Sequence, residues 1–253
     1  MKKIILFLAA VLLTTTFLQA QDESATNKKD EQTVSQKNLV KLNLFALGLK
    51  NITVQYERVI SRKSTIGLTF RVMPKSGLPF KSAFTNAIKD SITTSQIDNF
   101  KIGNFAIMPE IRFYLGHKGA YHGFYIAPFV SYAHYTAELP YSYNDNGTNK
   151  TIPLSGSVNS ISGGLMFGAQ WKIGKAVYLD WWMFGPHYGS SNGSISGKQS
   201  LSPSEQTNLK SSLDGLSIPI VKTTNTVDAN GATLSFTGPW AGIRSGFCIG
   251  IGF

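Results

Sequence analysis

The sequence predicts an all-β fold, an eight-stranded antiparallel up-and-down transmembrane β-barrel with long outer loops that contain short helices. Three observations predict it. Apolar residues recur at every second position in eight segments, as in strands with one apolar face. The connections between these segments are alternately short and long. Charged residues make up only 15% of the chain, whereas ordinary soluble domains carry about 25%.

The first residues have the features of a secretory signal. Lys2 and Lys3 precede an apolar run over 4–13, and Ala20 ends a small-residue cleavage site. The apolar run is well short of the roughly 20 residues that a spanning helix needs. We therefore predict a signal peptide over 1–20, a disordered periplasmic segment over 21–38, which has no apolar period, and the barrel over 39–253. This organisation predicts a protein of the cell outer membrane in a Gram-negative bacterium.

The eight strands follow from the alternating pattern. In the third segment, for example, Ile66, Leu68 and Phe70 share one phase while small or polar residues occupy the other. The strands are predicted, in chain order, near 39–48, 51–60, 64–73, 103–115, 122–137, 158–172, 175–187 and 240–253.

The connections sort by length. Those after the second, fourth and sixth strands are tight, at 61–64, 116–121 and 173–174, and we place them in the periplasm. Those after the third, fifth and seventh strands are long, at 74–102, 138–157 and 188–239. In the last loop Ser202 and Glu205 form a capping-box pattern with Pro203 between them, which predicts a helix start. A weaker helix is predicted after Ser82.

The charged residues within the strands indicate whether the apolar face of the sheet points outward or inward. A soluble barrel of the lipocalin type would point its apolar residues inward and cover its outside with charges. Here the mid-strand charges are few and balanced in sign, as a small polar lumen requires, because charges removed from water must be paired. We predict a plugged lumen, with a proton or ion path as the alternative. The predicted lumen network consists of Glu57, Arg71, Glu110, Arg112, Asp180 and Arg244.

The last predicted strand carries a further signal. An aromatic residue closing an alternating strand resembles the signal by which outer-membrane barrels are passed to the barrel-assembly machinery. The predicted insertion signal is Phe247, Ile249, Ile251 and Phe253. Outer-membrane lipids and, during insertion, that machinery are the predicted partners, with a candidate extracellular ligand at the outer loops.

Composition and spacing argue against several functions. The four histidines show no metal-ligand spacing, no phosphate-binding glycine loop follows a strand, and no cofactor is predicted. The lysines and arginines are dispersed, so nucleic acid is not a predicted partner. Cys248 is a lone cysteine. A non-enzymatic structural or surface-interaction role is the first hypothesis, and solute transport is a third one.

The second hypothesis is a lipid-modifying enzyme. His187, followed by Ser190 and Ser191, resembles the His-x-Ser-Asn segment of lipid A deacylases, although the spacing differs and no acid follows at a matching position. Nucleophilic catalysis needs a serine within hydrogen-bond reach of an oriented base.

Five stretches carry a family resemblance, at 40–44, 56–59, 109–114, 123–129 and 180–189. They resemble a Bacteroidota family of outer-membrane barrels described as a domain of unknown function. The resemblance covers most of 39–253 and implies the barrel and the compartment. It implies no activity.

Overall fold

The computed structural model describes residues 36–77, 99–145, 148–214 and 220–253. The predicted signal peptide, the predicted disordered segment up to residue 35 and the predicted helix after Ser82 lie outside these residues. The described part of the chain contains two helices, α1 (Leu44–Gly48) and α2 (Pro203–Asp214). It contains nine strands: β1 (Asn38–Asn43), β2 (Ile52–Ser61), β3 (Ser64–Gly77), β4 (Lys101–Tyr114), β5 (Gly123–Asp145), β6 (Thr148–Lys172), β7 (Val177–Lys198), β8 (Lys222–Asp228) and β9 (Gly231–Gly252).

The strands form an antiparallel sheet whose hydrogen bonding runs in a ring. β1 to β7 pair in chain order, β7 pairs with β9, and β9 pairs back onto β1. Eight strands therefore close the ring, and β8 is a ninth strand that pairs with residues 231–237, the first third of β9. The prediction of an all-β antiparallel fold is confirmed.

One apolar row runs once around the ring. It starts at Trp171 on β6 and returns to the same strand at Ile161, ten positions away (171 minus 161). This offset fixes how strongly the strands tilt relative to the ring's axis. Each member pairs with the next in register, in the order Trp171, Leu179, Ile249, Leu42, Val54, Phe70, Ile107, Tyr132, Ile161.

The two faces of the ring differ in chemistry. The face of this row exposes large apolar side chains, of which Phe70 is 45% and Ile161 is 56% exposed. On the other face most charged residues in the middle of the strands are buried, among them Glu57, Arg112 and Asp180. Arg112 on β4 bonds to Gln55 on β2 and Asp180 on β7, strands that are not its neighbours in the sheet. These bonds cross the enclosed space, so the polar face is the interior.

Three short connections lie at one end of the ring, at 62–63, 115–122 and 173–176, as predicted. We call this the turn end and the opposite one the loop end. The middle connection folds across the turn end, because Ala120 N donates to Arg62 O at 2.7 Å. It inserts Tyr121, which adopts a left-handed φ of 67° and is fully buried.

The first predicted strand is too long. Residues 44–48 form α1, because Asn43 Oδ1 accepts a hydrogen bond from Ala46 N at 3.1 Å and caps a helical turn. The spacing of the apolar residues in this segment is compatible with one helical turn as well as with a strand.

Two predicted long loops are wrong over much of their length. β5 ends only at Asp145 and β6 already begins at Thr148. β7 ends only at Lys198 and β9 already begins at Gly231, so these two strands take up 188–198 and 231–239 of the last predicted loop. The extensions of β6 and β7 in particular are rich in serine, threonine, asparagine and glycine, which leaves them little apolar period. They remain strands because backbone pairing needs no apolar side chain.

The predicted start of α2 is confirmed. Pro203 is its first residue, Ser202 Oγ accepts from Glu205 N at 3.4 Å, and Glu205 Oε2 accepts from Ser202 N at 2.8 Å. Asn225 of β8 donates to Asp214 at 2.8 Å, so the helix is joined to the ninth strand.

Candidate functional site

Six ionisable side chains meet in the ring interior, and we call them the charged cluster. Its members come from five strands, with Lys41 on β1, Glu57 on β2, Glu110 and Arg112 on β4, Asp180 on β7 and Arg244 on β9. Three cations face three anions, so the cluster is formally neutral. All six side chains are at least nine-tenths buried.

Short ion pairs connect the cluster. Lys41 Nζ lies 2.5 Å from carboxylate oxygens of both Glu57 and Asp180. Arg112 Nη1 lies 2.7 Å from Asp180 Oδ2, and Arg112 Nε lies 2.5 Å from Glu110 Oε1. Arg244 Nη1 lies 2.5 Å from Glu110 Oε2. Every charge therefore has a partner of opposite sign, which burial demands.

Uncharged neighbours complete the coordination. The hydroxyl of Tyr125 and the indole N–H of Trp182 both donate to Asp180 at 2.8 Å. Arg112 stacks 4.3 Å from the Tyr125 ring centroid, and Arg244 stacks 4.2 Å from that of Trp182. Further hydrogen bonds come from Gln55, Thr65, Thr69, Tyr114 and Gln170.

A layer of tyrosines fills the interior between the charged cluster and the turn end. The Tyr121 ring packs edge-on against Tyr114 at 6.5 Å and Tyr178 at 5.4 Å between centroids. Its hydroxyl donates to the carbonyl of Lys37 at 3.0 Å. Burial raises the pKa of Tyr121, so the phenol stays neutral. The ring is therefore filled by an ionic layer and, towards the turn end, by an aromatic one.

Five of the six predicted network residues are brought together here, and Arg71 is not. Arg71 lies nearer the loop end, where it donates to Asn104 at 3.1 Å and to the Tyr135 hydroxyl at 2.8 Å. Tyr135 in turn packs 5.2 Å from Trp240. Arg71 thus belongs to a separate, partly buried polar group.

Lys41 was not among the predicted network residues, although it has the inward phase. The overlong first strand placed it near a strand end, whereas it is the fourth residue of a six-residue strand. Its register opposite Gln55 and Gly250 puts it in the middle of the ring. The available signal was its phase, since Lys41 alternates with the apolar Val40 and Leu42.

His187 and the two serines do not assemble a catalytic pair. Successive strand residues alternate in direction, so Ser190 faces the opposite side from His187. Ser191 Oγ donates to the carbonyl of Gly238 at 3.2 Å. The His187 ring packs against Phe129 at 6.1 Å between centroids, and within the described residues its Nδ1 has no hydrogen-bond partner.

The described residues contain no cluster of three or more histidine, cysteine or acidic side chains able to hold a metal ion. Among them there is also no helix of the length and apolarity that would take it across a membrane.

An open pocket of about 510 Å³ lies at the loop end, and Lys101, Glu138 and Lys198 are among its lining residues. Glu138 accepts a hydrogen bond from Lys75 at 2.5 Å, which lowers the pKa of Glu138.

Comparison with known proteins gives a family and no activity. A family model described as "Protein of unknown function (DUF3575)" matches residues 6–185, more than half of the chain. The chain belongs to this family. It matches no curated protein and no solved structure. The DUF3575 match covers β1 to β6 and the part of β7 that carries Asp180, so it includes all of the charged cluster except Arg244.

Proposed function

We propose that the protein is a small outer-membrane β-barrel with a plugged lumen, which has a structural or surface-interaction role and no catalytic activity. One observation carries the proposal: the closed sheet turns its apolar face outward and buries its ions. A ring stable in water has the opposite arrangement. Monomeric soluble proteins rarely expose contiguous apolar patches beyond a few hundred Å².

The register supports a barrel of transmembrane dimensions. Eight strands spaced about 4.8 Å apart, with an offset of ten residues at about 3.3 Å each, give a tilt of about 41° and a radius of about 8 Å. Transmembrane barrels tilt their strands by about 35–45°. The ten residues between Ile161 and Trp171 then rise about 25 Å, which is the height of the outward apolar band in such barrels. We call the outward-facing surface between the levels of these two residues the apolar band.

The outward positions of this band are consistently apolar. On β4 they are Phe105, Ile107, Pro109, Ile111 and Phe113, and the same phase holds on the neighbouring strands. In the described part of the chain the outward positions of the band are uncharged except for Arg58, which lies close to its turn-end edge. Outer-membrane lipids are therefore the proposed partners of this band, and the assembly machinery is the proposed partner of β9 during insertion.

The filled interior supports a role other than transport. A radius of about 8 Å leaves room for side chains only, and the charged cluster and Tyr121 occupy it. The strand extensions at the loop end are then the surface offered to an extracellular ligand. The five stretches that resemble a Bacteroidota family are the ground for proposing that bacterial group as the source.

Cell fractionation tests the proposal. We expect the chain in outer-membrane fractions, resistant to extraction with alkaline carbonate, and migrating faster in gels when the sample is not heated. Recovery in the soluble periplasm, or as freely water-soluble purified protein without detergent, would overturn the membrane assignment.

Planar-bilayer recordings test the plug. We expect no stable conductance step above the bare membrane for the reconstituted wild-type protein. A reproducible open channel would show that the interior is not filled and would favour transport. Lipid A profiles of cells with His187→Ala, expected to be unchanged, test the enzymatic alternative.

A further inference from the structure

Among the described residues, the turn end of the ring carries positive charge that no exposed acidic side chain offsets. Its described residues contribute seven exposed cations and no exposed acidic side chain. The exposed acidic residues of the described part of the chain, Asp214 and Asp228, and the partly exposed Glu138 all lie at the loop end. We call the seven the basic collar: Lys37, Arg58, Arg62, Lys63, Lys118, Lys172 and Lys175.

Backbone contacts gather these residues into one surface. The bond from Ala120 N to Arg62 O joins the connection that carries Lys118 to the one that carries Arg62 and Lys63. Gln36 Nε2 donates to the carbonyl of Lys175 at 3.0 Å, which brings Lys37 beside the third connection. Each of the three short connections thus adds at least one cation to the same end.

The collar borders the apolar band directly. Arg58 lies in the outward phase of β2, two residues after Tyr56, and donates to Asn38 at 3.3 Å, as the Tyr56 hydroxyl does at 2.7 Å. Trp171, exposed by 41%, immediately precedes Lys172. A lipid whose acyl chains pack on the band has its headgroup at the level of these cations.

We propose that the basic collar binds anionic phospholipid headgroups in the leaflet at the turn end. This inference rests on the proposed membrane function and deepens it by naming a lipid class. Lysine and arginine side chains attract anionic lipids near a membrane surface, and the attraction is screened by salt. Phosphate groups are also the anions that arginine contacts in a bidentate manner.

Spin-labelled lipids in vesicles of phosphatidylcholine provide the test. The fraction of motionally restricted label reports the lipids that contact the protein, measured separately for labelled phosphatidylglycerol and labelled phosphatidylcholine. We expect phosphatidylglycerol to be preferred about two- to fivefold in low salt, and the preference to fall towards one near 0.5 M salt.

Two triple variants locate the effect. Lys63→Gln, Lys118→Gln and Lys175→Gln remove one cation from each short connection, and the described structure gives none of these three side chains a hydrogen bond or ion pair. Lys101→Gln, Lys198→Gln and Lys222→Gln remove the same charge at the loop end. We expect the first variant to lose most of the preference and the second to keep it.

The outcomes separate this inference from the function on which it rests. A restricted component without phosphatidylglycerol preference, or equal losses in the two variants, would overturn the collar and leave the membrane barrel standing. Sedimentation with a purified anionic cell-wall polymer, dependent on the collar lysines and without lipid preference, would overturn it in favour of that partner. No restricted component at all would overturn both.

Discussion

Phe70→Arg distinguishes a lipid-facing ring from a water-facing one. Phe70 is 45% exposed and lies between Val54 and Ile107 in the apolar row. It stands seven residues from Lys63 (70 minus 63), which at about 2.5 Å of height per tilted residue is about 17 Å. Trp171, at the turn-end edge of the band, lies about 5 Å from the connection at 173–176 by the same measure. Phe70 is therefore near the middle of a band about 25 Å tall.

Arginine at the bilayer midplane of a barrel costs about 2–4 kcal/mol, which lowers the folding equilibrium constant about 30- to 900-fold. The assay is reversible urea unfolding in lipid vesicles, with the folded fraction read from unheated gel migration. Tyr188→Arg is the matched control. Tyr188 also faces outward and is 68% exposed, but it lies near the edge of the band at the loop end. Its expected cost is about 0–1 kcal/mol.

A ring whose apolar face lies in water would give a different result. On a water-facing surface an exposed Phe70→Arg change alters stability by no more than about 0.5 kcal/mol. Equal urea midpoints for wild type, Phe70→Arg and Tyr188→Arg would therefore refute the orientation.

Three further changes probe the interior. Asp180→Asn leaves Lys41 and Arg112 without a full counter-charge, and we expect a loss of about 3–5 kcal/mol in the same urea assay; a loss below 1 kcal/mol would contradict the buried network. A Cβ at Gly168 would overlap the Tyr125 hydroxyl, so Gly168→Val should cost about 1–3 kcal/mol whereas Gly163→Val should be tolerated better. Tyr121→Ala removes the aromatic ring that fills the interior at the turn end, yet we expect no conductance in planar bilayers because the charged cluster still fills the ring interior. An open channel would show that Tyr121 alone closes it.

The sequence was informative where strands carry side chains of two kinds. Period-two alternation located the ring strands, and the rarity of charge in them singled out Glu57, Glu110, Arg112, Asp180 and Arg244. Their meeting could be anticipated because a lumen about 8 Å in radius brings inward charges within reach of each other. The identity of each ion pair was not predictable, since it depends on the register between strands.

The failures have physical reasons as well. Alternation is weak in segments dominated by serine, threonine, asparagine and glycine, such as the extensions of β6 and β7, so these were assigned to loops. The extensions of β5 and β9 were assigned to loops as well, and β8 was overlooked. The end of the first predicted strand forms α1 instead, because Asn43 caps a single helical turn there. Arg71 has the inward phase of the network but sits one layer nearer the loop end, where tyrosine and asparagine partner it.

Accessibility along β4 tests the central orientation most directly. Single cysteines at Phe105, Ile107, Ile111 and Phe113, in a Cys248→Ala background, would carry nitroxide labels in lipid nanodiscs. We expect oxygen, which concentrates in lipid, to relax all four labels more strongly than a water-soluble nickel chelate does. Labels that respond mainly to the chelate would show this face in water, and the membrane barrel would be contradicted.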